Sequence, residues 1–283
     1  MQLKDHLVPK VGEHRLYDLT SNQTSLETKA STARWYAEMM IDLFFSYEAK
    51  SNLGEDSFNK LSLGDKISIL RKPGAEKLTQ SLDLIKDFGD KASHYQPGRV
   101  IKESDVERVV TLSLELFDLA LIDLMKNGGI RKTEITAKLF STFLPSIRIR
   151  VLKSIINMRF IRPDSDEDMF ILDKILLAYT KNGEIKKARR LLEKLQKQGA
   201  LPQSHVEFWK EKIQIIQEKL EAGILPVSEN ISDCRRNFEN VLSQMNESEK
   251  EQNSDLIKVF EVMLAQVEPS DLGDKIPDLV ILM

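Results

Sequence analysis

Between Val106 and Leu124 the apolar residues Val106, Val109, Val110, Phe117, Leu121 and Leu124 fall at a spacing that an α-helix gathers onto one face. The same rhythm of threes and fours recurs along most of the chain. Ala30, Ala33, Ala37, Met40, Ile41 and Phe44 mark an earlier helix, and Leu78, Leu82, Ile85 and Phe88 mark another. The alternating pattern of a half-buried strand is scarce, and only 12 glycines and 9 prolines interrupt 283 residues. The chain is therefore expected to be all-α, with at most a short β wing. Hydrophobic residues make up 41%, which suits a folded core and excludes a disordered chain.

Local signals divide this helical chain. Capping-box patterns at Thr24-Ser25-Leu26-Glu27 and Ser104-Asp105-Val106-Glu107 announce helix starts, because side chains at either end satisfy unpaired backbone N–H groups. Lys72-Pro73-Gly74 stops the short segment LGDKISIL, and Gln96-Pro97-Gly98 closes the helix that leads to His94. Asn127-Gly128-Gly129 sets the first boundary. Residues 1–127 read as a helix bundle, with Trp35, Phe44, Ile85, Val110 and Phe117 in its core. Residues 128–170 form a basic middle segment. Residues 171–283 alternate helices with breaks at Asn182-Gly183, Gly199 to Pro202 and Gly223 to Pro226, a pattern of helical hairpins. Leu279 to Met283 follow Pro277 as an apolar end expected to dock in extended form.

Several chemistries are excluded. Cys234 is the single cysteine, so no intrachain disulfide and no multi-cysteine metal site can form. No G-x-x-x-x-G-K-[ST] loop, H-E-x-x-H, G-x-S-x-G or C-x-x-C occurs. His6, His14, His94 and His205 are scattered, so no metal and no cofactor are expected. No apolar run approaches the roughly 20 residues that span a bilayer, and MQLKDHLVPKVGEHR lacks an apolar leader core. No membrane association is expected, and the cytoplasm is the simplest compartment.

One candidate site lies in LDLIKDFGDKASHY, Leu82 to Tyr95. At about 100° per residue, Asp87, Asp90 and His94 share a face opposite Ile85. A carboxylate beside an imidazole raises its pKa and fixes its tautomer. That suits proton transfer, and it equally suits an exposed cap or an inter-helix hydrogen bond. The segments ARWYAEMMIDLFF, LGDKISIL, LDLIKDFGDKASHY and IKESDVERVVTLSLELFDLALIDL, in that order between about Ser25 and Lys126, resemble the DUF4145 family, a branch of the HEPN-like helical domains. The resemblance implies a helix bundle. It also implies association with prokaryotic anti-phage defence or restriction assemblies, either as a homodimer or with other proteins. HEPN ribonucleases carry R-x-x-x-x-H. Here His94 carries over, but Gly89 stands at the arginine position, Lys86 where DUF4145 members often have Arg, and Asp90 in place of Asn.

The second candidate is the basic middle. Gly128 to Pro163 holds eight cations, including Arg131, Lys132, Lys138, Arg148 and Arg162, against the single acid Glu134, in a chain whose formal net charge is −3. Thr133 to Ser141 reads as a helix and Ser146 to Arg159 as a second. The latter places Ser146, Arg150, Lys153 and Asn157 within about 60° of each other, opposite Val151, Leu152 and Ile155. Such a face suits phosphates and base edges, and it equally suits solvent. With Phe160 to Ile171 as a wing tipped by the acidic turn Asp164 to Asp168, the segment resembles a winged helix. Arg148, Arg150, Lys153, Asn157, Arg159 and Arg162 are its candidate nucleic-acid contacts. Lys181 to Gln198 is basic again, seven cations to two acids. Ile175 to Leu195 resembles one tetratricopeptide-type unit, with Tyr179, Gly183 and Ala188 in the ring, turn and small-residue positions.

Three functions fit these readings. The first is a non-catalytic interaction subunit that contacts nucleic acid (DNA or RNA) and partner proteins. The second is a metal-independent endoribonuclease acting through His94, with Asp90 and Lys86 beside it. The third is a purely structural adaptor.

Overall fold

In the computed structural model, residues 9–72, 74–94, 100–128, 134–225 and 227–264 are described. Every regular element among them is helical, so the chain is all-α. Two compact units emerge, one centred on the residues up to Asp123 and the other on Leu124–Phe260. The terminal segment Leu279 to Met283, the turn Gln96 to Gly98, and Arg131 and Lys132 lie outside the described residues.

The first unit contains α1 (Leu16–Thr20), α2 (Leu26–Met40), α3 (Tyr47–Leu53), α4 (Glu55–Asn59), α5 (Leu63–Ile69), α6 (Glu76–Ser93) and most of α7 (Glu103–Gly128). The first capping box is displaced by one residue: Ser25, not Thr24, caps α2, its side chain accepting from the Thr28 N–H. The buried stripe of α2 is mostly small: Ala30, Ala33 and Ala37, with Tyr36 and Met40. Small residues let a neighbouring helix approach closely, and α6 packs along α2. Ile85, Val110 and Phe117 are buried as expected. Trp35 and Phe44 are only half-buried. Trp35 meets His14 edge-on at 5.2 Å beneath the Arg15 guanidinium, an amphipathic ring at the bundle rim. Phe44 lies in a single π-helical turn, Ile41–Phe45, 6.0 Å from Phe117. The second capping box is displaced. α7 already begins at Glu103, with the Asp105 and Val106 N–H groups bonded to the Lys102 carbonyl, so Ser104 sits inside the helix.

The second unit contains α8 (Glu134–Phe140), α9 (Pro145–Asn157), α10 (Asp166–Lys181), α11 (Ile185–Lys197), α12 (Gln203–Glu221), α13 (Ile231–Ser243), α14 (Glu247–Gln252) and α15 (Ser254–Leu264), the last up to Phe260. Pro145 opens α9 at a position where its missing N–H would go unused anyway. Phe238, Phe260 and Phe143 form an aromatic stack, with centroids 4.9 and 3.9 Å apart. Thr136 donates to Asn253 at 2.6 Å in the buried interior, tying α8 to the turn before α15.

The expected wing is not a strand pair. Ser165 accepts from the Asp168 N–H and α10 starts at Asp166, so the acidic run forms the first helical turn. Three carboxylates at a helix N-terminus are favoured by the macrodipole, and Ser165-x-x-Asp168 is itself a capping signature. The winged-helix reading of 128–170 is thereby corrected to two helices and a capped turn. The hairpin of α10 and α11 follows its sequence closely. Tyr179 and Ala188 are buried, and Gly183 takes φ +71° at the turn, where the Glu184 N–H reaches the Tyr179 carbonyl at 2.8 Å.

Candidate functional site

The periodicity that groups His94 with Asp87 and Asp90 stops one residue short of the histidine. α6 ends at Ser93, and His94 is its exposed C-cap at φ −121°, ψ 126°, its N–H bonded to the Asp90 carbonyl at 3.1 Å. The Asp90 carboxylate is held elsewhere. Lys86 donates to one of its oxygens at 2.8 Å. The Arg34 Nε of α2 lies 3.1 Å from the other, off the N–H direction, so an ion pair forms without an aligned hydrogen bond. Arg34 also faces Glu38 at 3.5 Å, and Lys86 faces Asp87 at 3.8 Å. The hydrogen bond to Asp90 holds the Lys86 ammonium above its ordinary range, which keeps it cationic and unsuited to accepting a proton.

Gly89, where the nuclease pattern wants arginine, is a packing residue. A Cβ built there would lie 2.4 Å from the Arg34 Cβ and 2.7 Å from its Cδ. The α2–α6 seam closes over this glycine, with the Ser31 and Ser93 hydroxyls 3.3 Å apart further along it. An arginine does stand beside Asp90, but α2 supplies it.

The basic middle is largely closed by its own fold. Arg148 is 3% exposed and cannot face a polyanion. Burial pulls its pKa down to about 10, and its Nε has no hydrogen-bond partner. It lies near the buried Cys234 thiol, which burial pushes up to about 11 despite bonds from Ser228 and the Leu144 backbone. Lys181, at the end of α10, is pulled down to about 8 by burial, with the Arg148 and Lys174 charges adding to the effect. Arg159 and Glu167 pair at the connected ends of α9 and α10 while Arg148 and Lys181 interact at the far ends, so the two helices run antiparallel. Both cations thus lie near the negative end of the α10 dipole.

Arg159 and Arg162 are neutralised by the same acidic turn. Arg159 bonds Glu167 at 2.8 Å and lies 3.7 Å from Asp168. Arg162 approaches Asp168 at 3.5 Å through its side chain, and its backbone N–H donates to that carboxylate at 3.1 Å. Asp168 itself is 4% exposed. Lys138 pairs with Glu134 at 3.1 Å. Of the expected contact face, Lys153 and Asn157 are exposed and Arg150 is half-buried.

A second basic surface was legible only as a charge count. Lys186, Lys187, Arg189, Arg190, Lys194 and Lys197 are all exposed on α11, against the single exposed acid Glu193. Lys187 bonds Glu184 at 2.6 Å. No ion pair forms to Lys186, Arg189, Arg190, Lys194 or Lys197 among the described residues. The signal was present in the sequence, since Ala188, Leu192 and Leu195 define the buried stripe and leave every cation on the opposite side. Among the described residues no three His, Cys, Asp or Glu side chains gather as a metal-binding group, and no helix is long and apolar enough to cross a membrane. No protein-family model matches the chain, and no curated protein or solved structure shows significant similarity to it.

Proposed function

We propose that this protein is a non-catalytic helical interaction subunit that contacts nucleic acid through its second unit and engages partner proteins. The observation that carries the reading is the row of exposed cations on α11 of that unit, of which Lys186, Arg189, Arg190, Lys194 and Lys197 face solvent without an acidic partner among the described residues. Such a surface creates a local positive potential in a chain of net charge −3, and potentials of that kind steer polyanions. The resemblance of residues 25–126 to DUF4145 and HEPN-like domains supports an assembly of the prokaryotic defence or restriction type. Direct binding of duplex and single-stranded oligonucleotides at near-physiological salt tests the reading. Binding of either form is expected, and binding of neither leaves the structural adaptor.

The second reading, a metal-independent endoribonuclease using His94, has one observation in its favour. Arg34 brings a guanidinium from α2 to Asp90, one turn before His94. A cation so placed stabilises charge on a transferring phosphate. Against it, Asp90 is engaged by Lys86 and Arg34. RNA cleavage by the purified protein in EDTA, lost in His94→Ala, would establish this reading; no cleavage is expected.

A further inference from the structure

We infer that the outer face of α11 is the surface that docks nucleic acid, by its phosphate backbone. The inference deepens the function proposed above and rests on it. Lys186, Arg190 and Lys197 lie within about 40° of one another around the helix, with Arg189 and Lys194 flanking them. From Lys186 to Lys197 the row rises about 16 Å, the length of about five base steps along one strand. These cations are exposed, whereas Arg148, Arg159 and Arg162 of the basic middle are buried or paired to acids. The linear charge of the chain therefore reaches solvent most densely on α11.

The chemistry of the face chooses between two kinds of anionic partner. Protein interfaces place apolar and aromatic anchors at their centre, whereas nucleic-acid interfaces are more polar and more positive. Ile185 to Lys197 contains no large exposed apolar residue. The next helix differs: Phe208 and Ile215 of α12 are 57% and 43% exposed and lie seven residues apart on one side. A face of cations without anchors fits a phosphate backbone better than an acidic protein. The single acid within it, Glu193, lies inside the cationic row and lowers its charge by one.

The test uses the full-length protein, duplex and single-stranded oligonucleotides, and poly-L-glutamate as a competitor of matched charge. The variant Lys186→Gln/Arg190→Gln/Lys197→Gln keeps helix propensity close to that of the original side chains, and Arg150→Gln/Lys153→Gln on α9 is the comparison. The α11 variant is expected to bind at least about tenfold more weakly, with a log–log salt slope shallower by about 2 to 3. The α9 variant should change by less. If the wild type binds and the α11 variant binds equally well, the inference fails and the proposed function stands. If the wild type binds neither oligonucleotide, both fail. If poly-L-glutamate displaces the oligonucleotide at equal charge, the face is one for acidic proteins and the nucleic-acid assignment is overturned.

Discussion

The basic middle, Gly128 to Pro163 with the turn between α9 and α10 at its end, and the outer face of α11 are both conspicuous as basic sequence, and folding treats them oppositely. At the turn, Asp168 is buried and receives Arg159, Arg162 and a backbone N–H. At the far end of α9, Arg148 is buried with no acid against it. On α11 the cations stay in water. Charge along a chain is thus a poor guide to charge on a surface, because helix amphipathicity and long-range partners decide which cations remain available.

The largest effect separating the two regions should come from Asp168. Asp168→Ala leaves Arg159 and Arg162 without their shared carboxylate and removes the acceptor for the Arg162 N–H. Losing a charge-assisted hydrogen bond to a backbone N–H, together with two partly exposed ion pairs, costs about 2 kcal/mol, read as a lower urea midpoint. No change would mean the turn is held by the remaining contacts of α10.

Arg148 should move stability the other way. Arg148→Met replaces a buried, unpaired cation with an apolar chain of similar reach, and a gain of about 1–2 kcal/mol is expected from the lost desolvation penalty. A loss in the same urea titration would show that the guanidinium is satisfied in solution.

A smaller effect lies in pH. The folded-state pKa of Lys181, about 8, is below that of an unfolded lysine. Below that pH both states are charged, and burial weighs fully against the fold. As pH rises from about 8 towards 10, the folded state loses its proton first, so stability rises. Lys181 still meets solvent, so the melting temperature should climb by only about 2–4 °C. Lys181→Met should flatten that rise; an identical rise in the variant would assign it to another group.

The smallest stability effect belongs to α11. Neutralising Lys186, Arg190 and Lys197 should shift stability by no more than about 0.5 kcal/mol per site, as at other exposed positions. A larger destabilisation would mean that these side chains are engaged within the fold.

Local features were legible in the sequence. The α7 stripe and the Tyr179–Gly183–Ala188 hairpin each depend on residues a few positions apart. What the sequence hid depends on distant partners. Gly89 was read as a missing arginine, yet its role is set by Arg34 on another helix. Arg148 faces Cys234 and Lys181 from elements formed far along the chain. The supposed wing failed for a different reason: Phe160 and Ile161 suggested a strand, while Ser165-x-x-Asp168 already encoded a helix start. His94 was placed by a periodicity that its own extended backbone ends.

Lysine acetylation of the full-length protein, with and without bound oligonucleotide, tests most directly whether the row of open cations on α11 marks the contact surface. Lys186, Lys194 and Lys197 should be protected on binding, while Lys153, exposed on α9, should react as before. Protection of Lys153 with α11 unchanged would contradict the account.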